Sequence, residues 1–238
     1  MKKRVLVTGG KGRIGTIISQ DLREEFVFKL VDCQSRNEET DALQIHVAND
    51  YTELEQACRG MDAIIHLAWN SGENWKSNIV VSENKKMAEN VYSAAVKAGV
   101  PRVIMASSIH ADNFQECLDS TFKLTCDMEP DPLSFYGCTK VYIETLGKMY
   151  ASRGLEVICV RFGGVSPDDQ FRKEDGFEKI WLSRRDCANL IRCCLEAPRV
   201  PWNFSLFYGV SNNTARIHDW SNPLGWVPQD DSATKKNM

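Results

Sequence analysis

The stretch Thr8-Gly9-Gly10-Lys11-Gly12-Arg13-Ile14-Gly15 constrains this chain more than any other. A short apolar run over 4–7 leads into it, and Ile14, Ile17, Ile18 and Leu22 recur at helical spacing behind it. The local reading is strand, glycine turn, helix. Two glycine registers overlap, Gly10-x-Gly12-x-x-Gly15 and Gly9-x-x-Gly12-x-x-Gly15. In both, Gly12 lets the backbone approach a diphosphate and Gly15 lets the helix pack on the sheet. The amides and dipole of the helix N-terminus then face an anion. Asp32 closes the second apolar run. A carboxylate there accepts hydrogen bonds from the adenosine ribose and repels a 2′-phosphate. The expectation is a dinucleotide site favouring NAD, with NADP kept open by Arg13 and Arg36, since either can pair with a phosphate.

Apolar runs at 4–7, 26–31, 43–47, 63–67, 102–106 and 155–161 read as strands. Amphipathic stretches at 14–25, 52–59, 80–98, 134–151 and 185–196 read as helices. This alternation predicts an α/β fold, a Rossmann-type doubly wound parallel sheet covered on both faces. Two long loops, 68–79 and 107–133, follow strand ends, where open sheets of this kind bind ligands. After Phe162 the pattern loosens into a polar loop, one helix and a Trp/Pro/Asn-rich tail. The expected organisation is a dinucleotide-binding domain over 1–163 and a small C-terminal substrate-binding cap over 164–238, interleaved with it. The polar last residues, from Asp230, are expected to fray.

A chain of 238 residues, 43% hydrophobic and 26% charged, suits one globular unit with a modest appendage. Its net charge of −3 argues against a nucleic-acid or anionic-membrane partner. No apolar run approaches the roughly 18 residues that span a bilayer. Met1-Lys2-Lys3-Arg4 resembles the start of a signal peptide, but glycines stop the apolar run that follows. Nine cysteines, an odd number without a C-x-x-C, read as free thiols of a reducing cytoplasm. Cys58, Cys159 and Cys187 lie in apolar segments and act as small hydrophobes. The four histidines have no ligand spacing, so no metal site is expected.

The second informative stretch is Tyr136-Gly137-Cys138-Thr139-Lys140. On a helix it sets a phenol and an ammonium one turn apart on the same face. A free phenol titrates near 10. A tyrosine serving as base near neutrality therefore needs positive charge beside it, which Lys140 and a cationic nicotinamide ring can supply. Ser107-Ser108 directly follows a strand, where a hydroxyl can hold a substrate oxygen opposite the phenol. Ser108, Tyr136 and Lys140 thus form a candidate proton-transfer constellation. Trp69 and Trp75, in the loop after the fourth strand, read either as a sugar platform or as packing.

These residues resemble the extended short-chain dehydrogenase/reductases, the NAD-dependent epimerase/dehydratase group, over roughly residues 4–230. The resemblance runs through Thr8–Gly15, His66-Leu67-Ala68, Asn84, Asn90, Ser107-Ser108 and Tyr136-x-x-x-Lys140. It implies cofactor contacts at Gly9, Gly12, Arg13, Ile14, Gly15, Asp32, Leu67, Ala68, Asn84, Tyr136 and Lys140. Within that group the chain is most similar to the uronate dehydrogenases, which oxidise C1 of a hexuronate to a lactone with NAD. That similarity is carried by Ser107-Ser108-Ile109-His110, Arg161-Phe162-Gly163-Gly164 with Arg172, Trp181-Leu182-Ser183-Arg184-Arg185-Asp186 and Leu224-Gly225-Trp226-Val227-Pro228. It implies a sugar or sugar-acid site lined by Ser71, Ser108, His110, Tyr136 and Arg172, and a homodimer or higher homo-oligomer. The chain departs from the pattern at Ile109 for asparagine, at Gly164 for serine, and at Val47 for an aspartate beside the adenine, unless Asp50 reaches back. The alternatives are a nucleotide-sugar epimerase or dehydratase of the same superfamily, and a non-catalytic NAD(P)-binding regulator.

Overall fold

A computed structural model describes residues 1–34, 42–70, 82–119, 122–170 and 176–235. The strands are β1 (Arg4–Thr8), β2 (Val27–Asp32), β3 (Leu43–Gln44), β4 (Ala63–His66), β5 (Arg102–Ser108) and β6 (Glu156–Phe162), followed by the short β7 (Gly164–Val165), β8 (Trp181–Leu182) and β9 (Phe204–Gly209). The helices are α1 (Arg13–Asp21), α2 (Tyr51–Cys58), α3 (Ser82–Ala98), α4 (Phe135–Ala151), α5 (Phe177–Ile180) and α6 (Arg184–Glu196). Seven strands form one sheet in the order β3-β2-β1-β4-β5-β6-β9. Every pairing in it is parallel.

Strand periodicity explains why these runs are apolar throughout. Side chains alternate between faces, so a sheet covered on both sides needs hydrophobic residues at every position. Leu6, Val103, Met105, Val157 and Cys159 join α2, α3 and α4 in one core cluster. Their neighbours Val5, Val7, Ile104, Ile158 and Val160 join α1 and α6 in the other. Each fully buried Leu, Ile or Val contributes about 1.5–3 kcal/mol relative to exposure. Met87, Val91 and Ala94 of α3 lie in the first cluster.

The differences from expectation have local causes. β3 stops after two residues because the Asp50 carboxylate takes the His46 amide at 2.7 Å, turning the chain out of the ladder. α1 ends at Asp21, since the charged triplet Arg23-Glu24-Glu25 offers no apolar face to continue it. β9 was not read from the sequence at all, yet it pairs with β6 from Val157↔Phe204 to Phe162↔Gly209. The segment after 163 therefore supplies a strand of the central sheet and, in α6, part of its cover. The tail is docked as far as it is described, against the expected fraying. Asp230 accepts hydrogen bonds from Ser183 at 2.5 Å and Arg185 at 2.5 Å, and Ser232 is 1% exposed. No helix among the described residues is long and apolar enough to cross a membrane.

Candidate active site

β1 lies between β2 and β4, so chain order reverses beside it and a crevice opens at the strand C-termini. A cavity of about 750 Å³ fills that crevice, bordered by Gly9, Gly12, Arg13, Asp32, Leu67 and Ala68. Gly9 has φ +67°, and a Cβ there would stand 2.6 Å from the Ala68 nitrogen. Only glycine fits. Gly12 caps α1 without a side chain, so the helix N-terminus opens onto the cavity and its amides can receive a diphosphate. Gly15 is buried, and Ile14 packs against the core. Gly15 can contribute to a ligand only through the backbone. Asp32 accepts the Lys11 amide at 3.2 Å and the Gln34 amide at 3.3 Å, which aligns its carboxylate along the cavity wall. The residues present therefore fit a dinucleotide.

At the far wall His46 pairs with Glu83 at 2.8 Å, and both border the cavity. Asp50 does reach back, but to the His46 amide, while the Val47 side chain is buried. His46 and Glu83 were not read from the sequence. Their only signal is position, after the third strand and in the first turn of α3.

The catalytic candidates gather at the ends of β5 and α4. Ser134 caps α4 by accepting the Gly137 amide at 3.1 Å. Gly137 itself packs on the His110 carbonyl, so closely that any Cβ would collide with it. This brings Tyr136 against the turn after β5, its ring 5.5 Å from that of His110 and nearly perpendicular to it. The Ser108 hydroxyl accepts the His110 amide at 3.3 Å and stands at the strand end, while Ser107 donates to Glu144. Lys140 is 5% exposed, donates to the Ala106 carbonyl at 2.8 Å, and lies 5.5 Å from the Tyr136 ring centroid. Ser108, His110, Tyr136 and Lys140 are thus brought together. Burial holds His110 down at about 4, so it is neutral near pH 7 and brings no positive charge to the site.

Asn84 is buried and holds the backbone of Asn70, accepting its amide at 2.8 Å and donating to its carbonyl at 3.4 Å. Trp69 is placed next to that clamp. Its ring centroid is 3.8 Å from the Lys140 ammonium and 5.1 Å from the Tyr136 ring. Ser71 and Arg172, expected at the substrate, lie outside the described residues, as do Arg36 and Trp75. Ile109 points away from the site into a cluster with Phe114, Leu124 and Tyr208. At Gly164 the Phe177 ring occupies the space a serine side chain would need.

Sequence reasoning also missed the support behind the site. Arg161 is completely buried and binds both oxygens of Glu144, at 2.9 and 2.8 Å, and Asp112 at 2.6 Å. Burial raises the Asp112 carboxyl, opposed chiefly by the Arg161 charge. The network joins β5, β6 and α4 below the catalytic residues. None of the described residues forms a His/Cys/Asp/Glu cluster suited to a metal.

Comparison with known proteins agrees with the fold. The NAD dependent epimerase/dehydratase family matches residues 5–176. An NAD-dependent glucose-6-phosphate dehydrogenase of Haloferax volcanii is 30% identical, over 98% of this chain and 95% of that protein. A uronate dehydrogenase of Pseudomonas putida is 32% identical, over 97% of this chain and 85% of the relative. The crystal structure of uronate dehydrogenase from Agrobacterium tumefaciens superposes with a TM-score of 0.85 at 27% identity, covering 99% of this chain and 88% of the other.

Proposed function

The chain belongs to the NAD dependent epimerase/dehydratase family, and from that premise we propose that it is an NAD-dependent dehydrogenase of a free sugar or sugar acid. In this reading it oxidises the C1 hydroxyl of a hexuronate or related aldose to the lactone. The observation that carries it is the convergence of Tyr136, Ser108 and His110 where the end of β5 meets the start of α4, across Trp69 from the glycine-lined cleft, with Lys140 buried beside the phenol. Relatives that oxidise free sugars and sugar phosphates over nearly their whole length support the same chemistry.

Gly9, Gly12 and the first amides of α1 would hold the diphosphate, and Asp32 the adenosine ribose. Lys140 and Tyr136 would hold the second ribose. Bound there, NAD supplies the acceptor for the hydride removed from the sugar carbon. Tyr136 takes the hydroxyl proton, and its phenolate form is favoured by the neighbouring ammonium. Ser108 donates to the reacting oxygen and keeps it in line with the phenol. Neutral His110 offers one ring nitrogen to a sugar hydroxyl without attracting an anion of its own. Ser71 and Arg172 complete the sugar site, Arg172 as a bidentate partner for a carboxylate.

A panel of uronates, aldoses and sugar phosphates with NAD and with NADP, followed at the reduced-nicotinamide absorbance, tests the reading. Net NADH from a free sugar is the expected result. Conversion of a nucleotide sugar with no net NADH would instead identify an epimerase. Tyr136→Phe should still bind NADH, weakened by no more than about tenfold for the one lost hydroxyl contact, and lose about 10²–10⁴-fold in turnover. Undiminished turnover would remove Tyr136 from the role of base.

A further inference from the structure

We propose that Trp69 occupies the seat of the dinucleotide's second ribose, and that this indole must swing away before the cofactor can reach Tyr136 and Lys140. The inference rests on the dehydrogenase reading of the same site.

Three observations converge on it. The indole lies on the Lys140 ammonium, 3.8 Å from it to the ring centroid, and meets the Tyr136 ring edge-on at 5.1 Å and 85°. A ribose bound by that ammonium and that phenol needs the same volume. Trp69 also borders the 750 Å³ cavity, whereas Tyr136 and Lys140 do not. Behind the indole, a void bordered by Trp69, Asn84 and Lys140 measures only about 10 Å³, room for at most one water. The side chain is a partition between the cleft and the catalytic pair.

Chemistry explains why the partition holds. Lys140 is 5% exposed, and a buried ammonium needs compensation for lost water. The Ala106 carbonyl supplies one partner and the indole face supplies another. The Asn84 clamp fixes the Asn70 backbone next door, so the displacement is a rotation of the Trp69 side chain. Trp69 is therefore a positioning residue, holding Lys140 and Tyr136 in register and yielding them to the cofactor. The affinity seen by NADH is its intrinsic affinity reduced by the fraction of molecules with the indole displaced.

The test uses the full chain and calorimetric titration with NADH and with ADP, which reaches the glycine loop and Asp32 but carries no second ribose. Trp69→Ala should lower the NADH Kd by about tenfold, and Trp69→Phe by less, while the ADP Kd stays within about twofold of the parent. NADH binding to the alanine variant alone, with ADP binding to both, would support the partition still more strongly. An NADH Kd that is unchanged or raised in both variants overturns it, as does an equal gain for ADP. In those cases sugar-dependent NADH formation by the parent would leave the dehydrogenase reading standing. Failure of every protein to bind either nucleotide overturns both.

Discussion

At the scale of single residues, Gly137 shows how a motif position acquires its function. It lies between the phenol and the ammonium, and its missing side chain lets the His110 carbonyl rest against the first turn of α4. That contact sets how near Tyr136 comes to Ser108 and His110. Gly137→Ala forces α4 and the turn after β5 apart, so the clash should outweigh alanine's helix advantage of roughly 1 kcal/mol and lower stability by about 1–3 kcal/mol. In molecules that still fold it should lower kcat by about 10²-fold, since displacements near 1 Å are costly to proton transfer. Thermal unfolding alongside steady-state kinetics checks this, and an unimpaired kcat would show that the contact is not needed. Other residues of the site were readable as types but not as contacts. Asp50 was the one carboxylate that could stand in for the aspartate replaced by Val47, and instead it turns the chain by holding the His46 amide. Ile109 looked like a lost polar contact and is a core side chain. Spacing along a sequence names the neighbours of a residue on its own element, not those that another element brings.

At the scale of elements, α4 carries the catalytic pair and is fastened from beneath. Glu144, one turn past Lys140, holds Arg161 of β6 through both its oxygens and accepts Ser107 of β5. The same guanidinium reaches Asp112, which also accepts the Tyr208 hydroxyl of β9 at 2.5 Å. Burying one cation between two carboxylates costs solvation, so the network is poor evidence for net stability. Its disruption is another matter. Arg161→Leu strands Glu144 and Asp112 together without a counter-charge and should lower unfolding free energy by about 3–5 kcal/mol. Urea denaturation measures this. A loss under about 1 kcal/mol would mean that the carboxylates find other partners or take up protons. Removing the exposed Arg59 just past α2, by comparison, should be close to neutral, because Lys97 still holds its partner Glu55 at 2.6 Å.

At the scale of the whole molecule, packing withdraws from water histidines that the fold thereby holds neutral. His66 and His218 are both lowered to about 3, first by burial, and His110 to about 4. In an unfolded chain each would take a proton near 6.5. The unfolded state therefore binds more protons between these values, and stability falls as pH drops from about 6.5 toward 3. At pH 5 the cost is on the order of 1–2 kcal/mol for each fully buried ring. His218 lies among aromatic rings, 4.6 Å from Tyr208 and 6.1 Å from Phe114, and neither of its nitrogens has a hydrogen-bond partner among the described residues. His218→Phe should flatten the acid limb of a stability profile taken by urea unfolding from pH 7.5 to 5. An unchanged limb would place the sensitivity elsewhere.

The alternation of apolar runs with helical periodicities, and the glycines between the first strand and helix, already specified a doubly wound sheet with an anion-ready turn. Those features are local: strand and helix periods, and backbone freedom at glycine, are properties of neighbouring residues. Phe204–Gly209 escaped that reading because an edge strand bracketed by Trp, Pro, Asn and Gly carries little periodic signal until β6 offers it a ladder. The docked tail, the Arg161 network, the His46–Glu83 wall and the indole over Lys140 were likewise decided only in three dimensions. Each joins residues distant in the chain, and such contacts arise from how the layers pack rather than from what stands next to what.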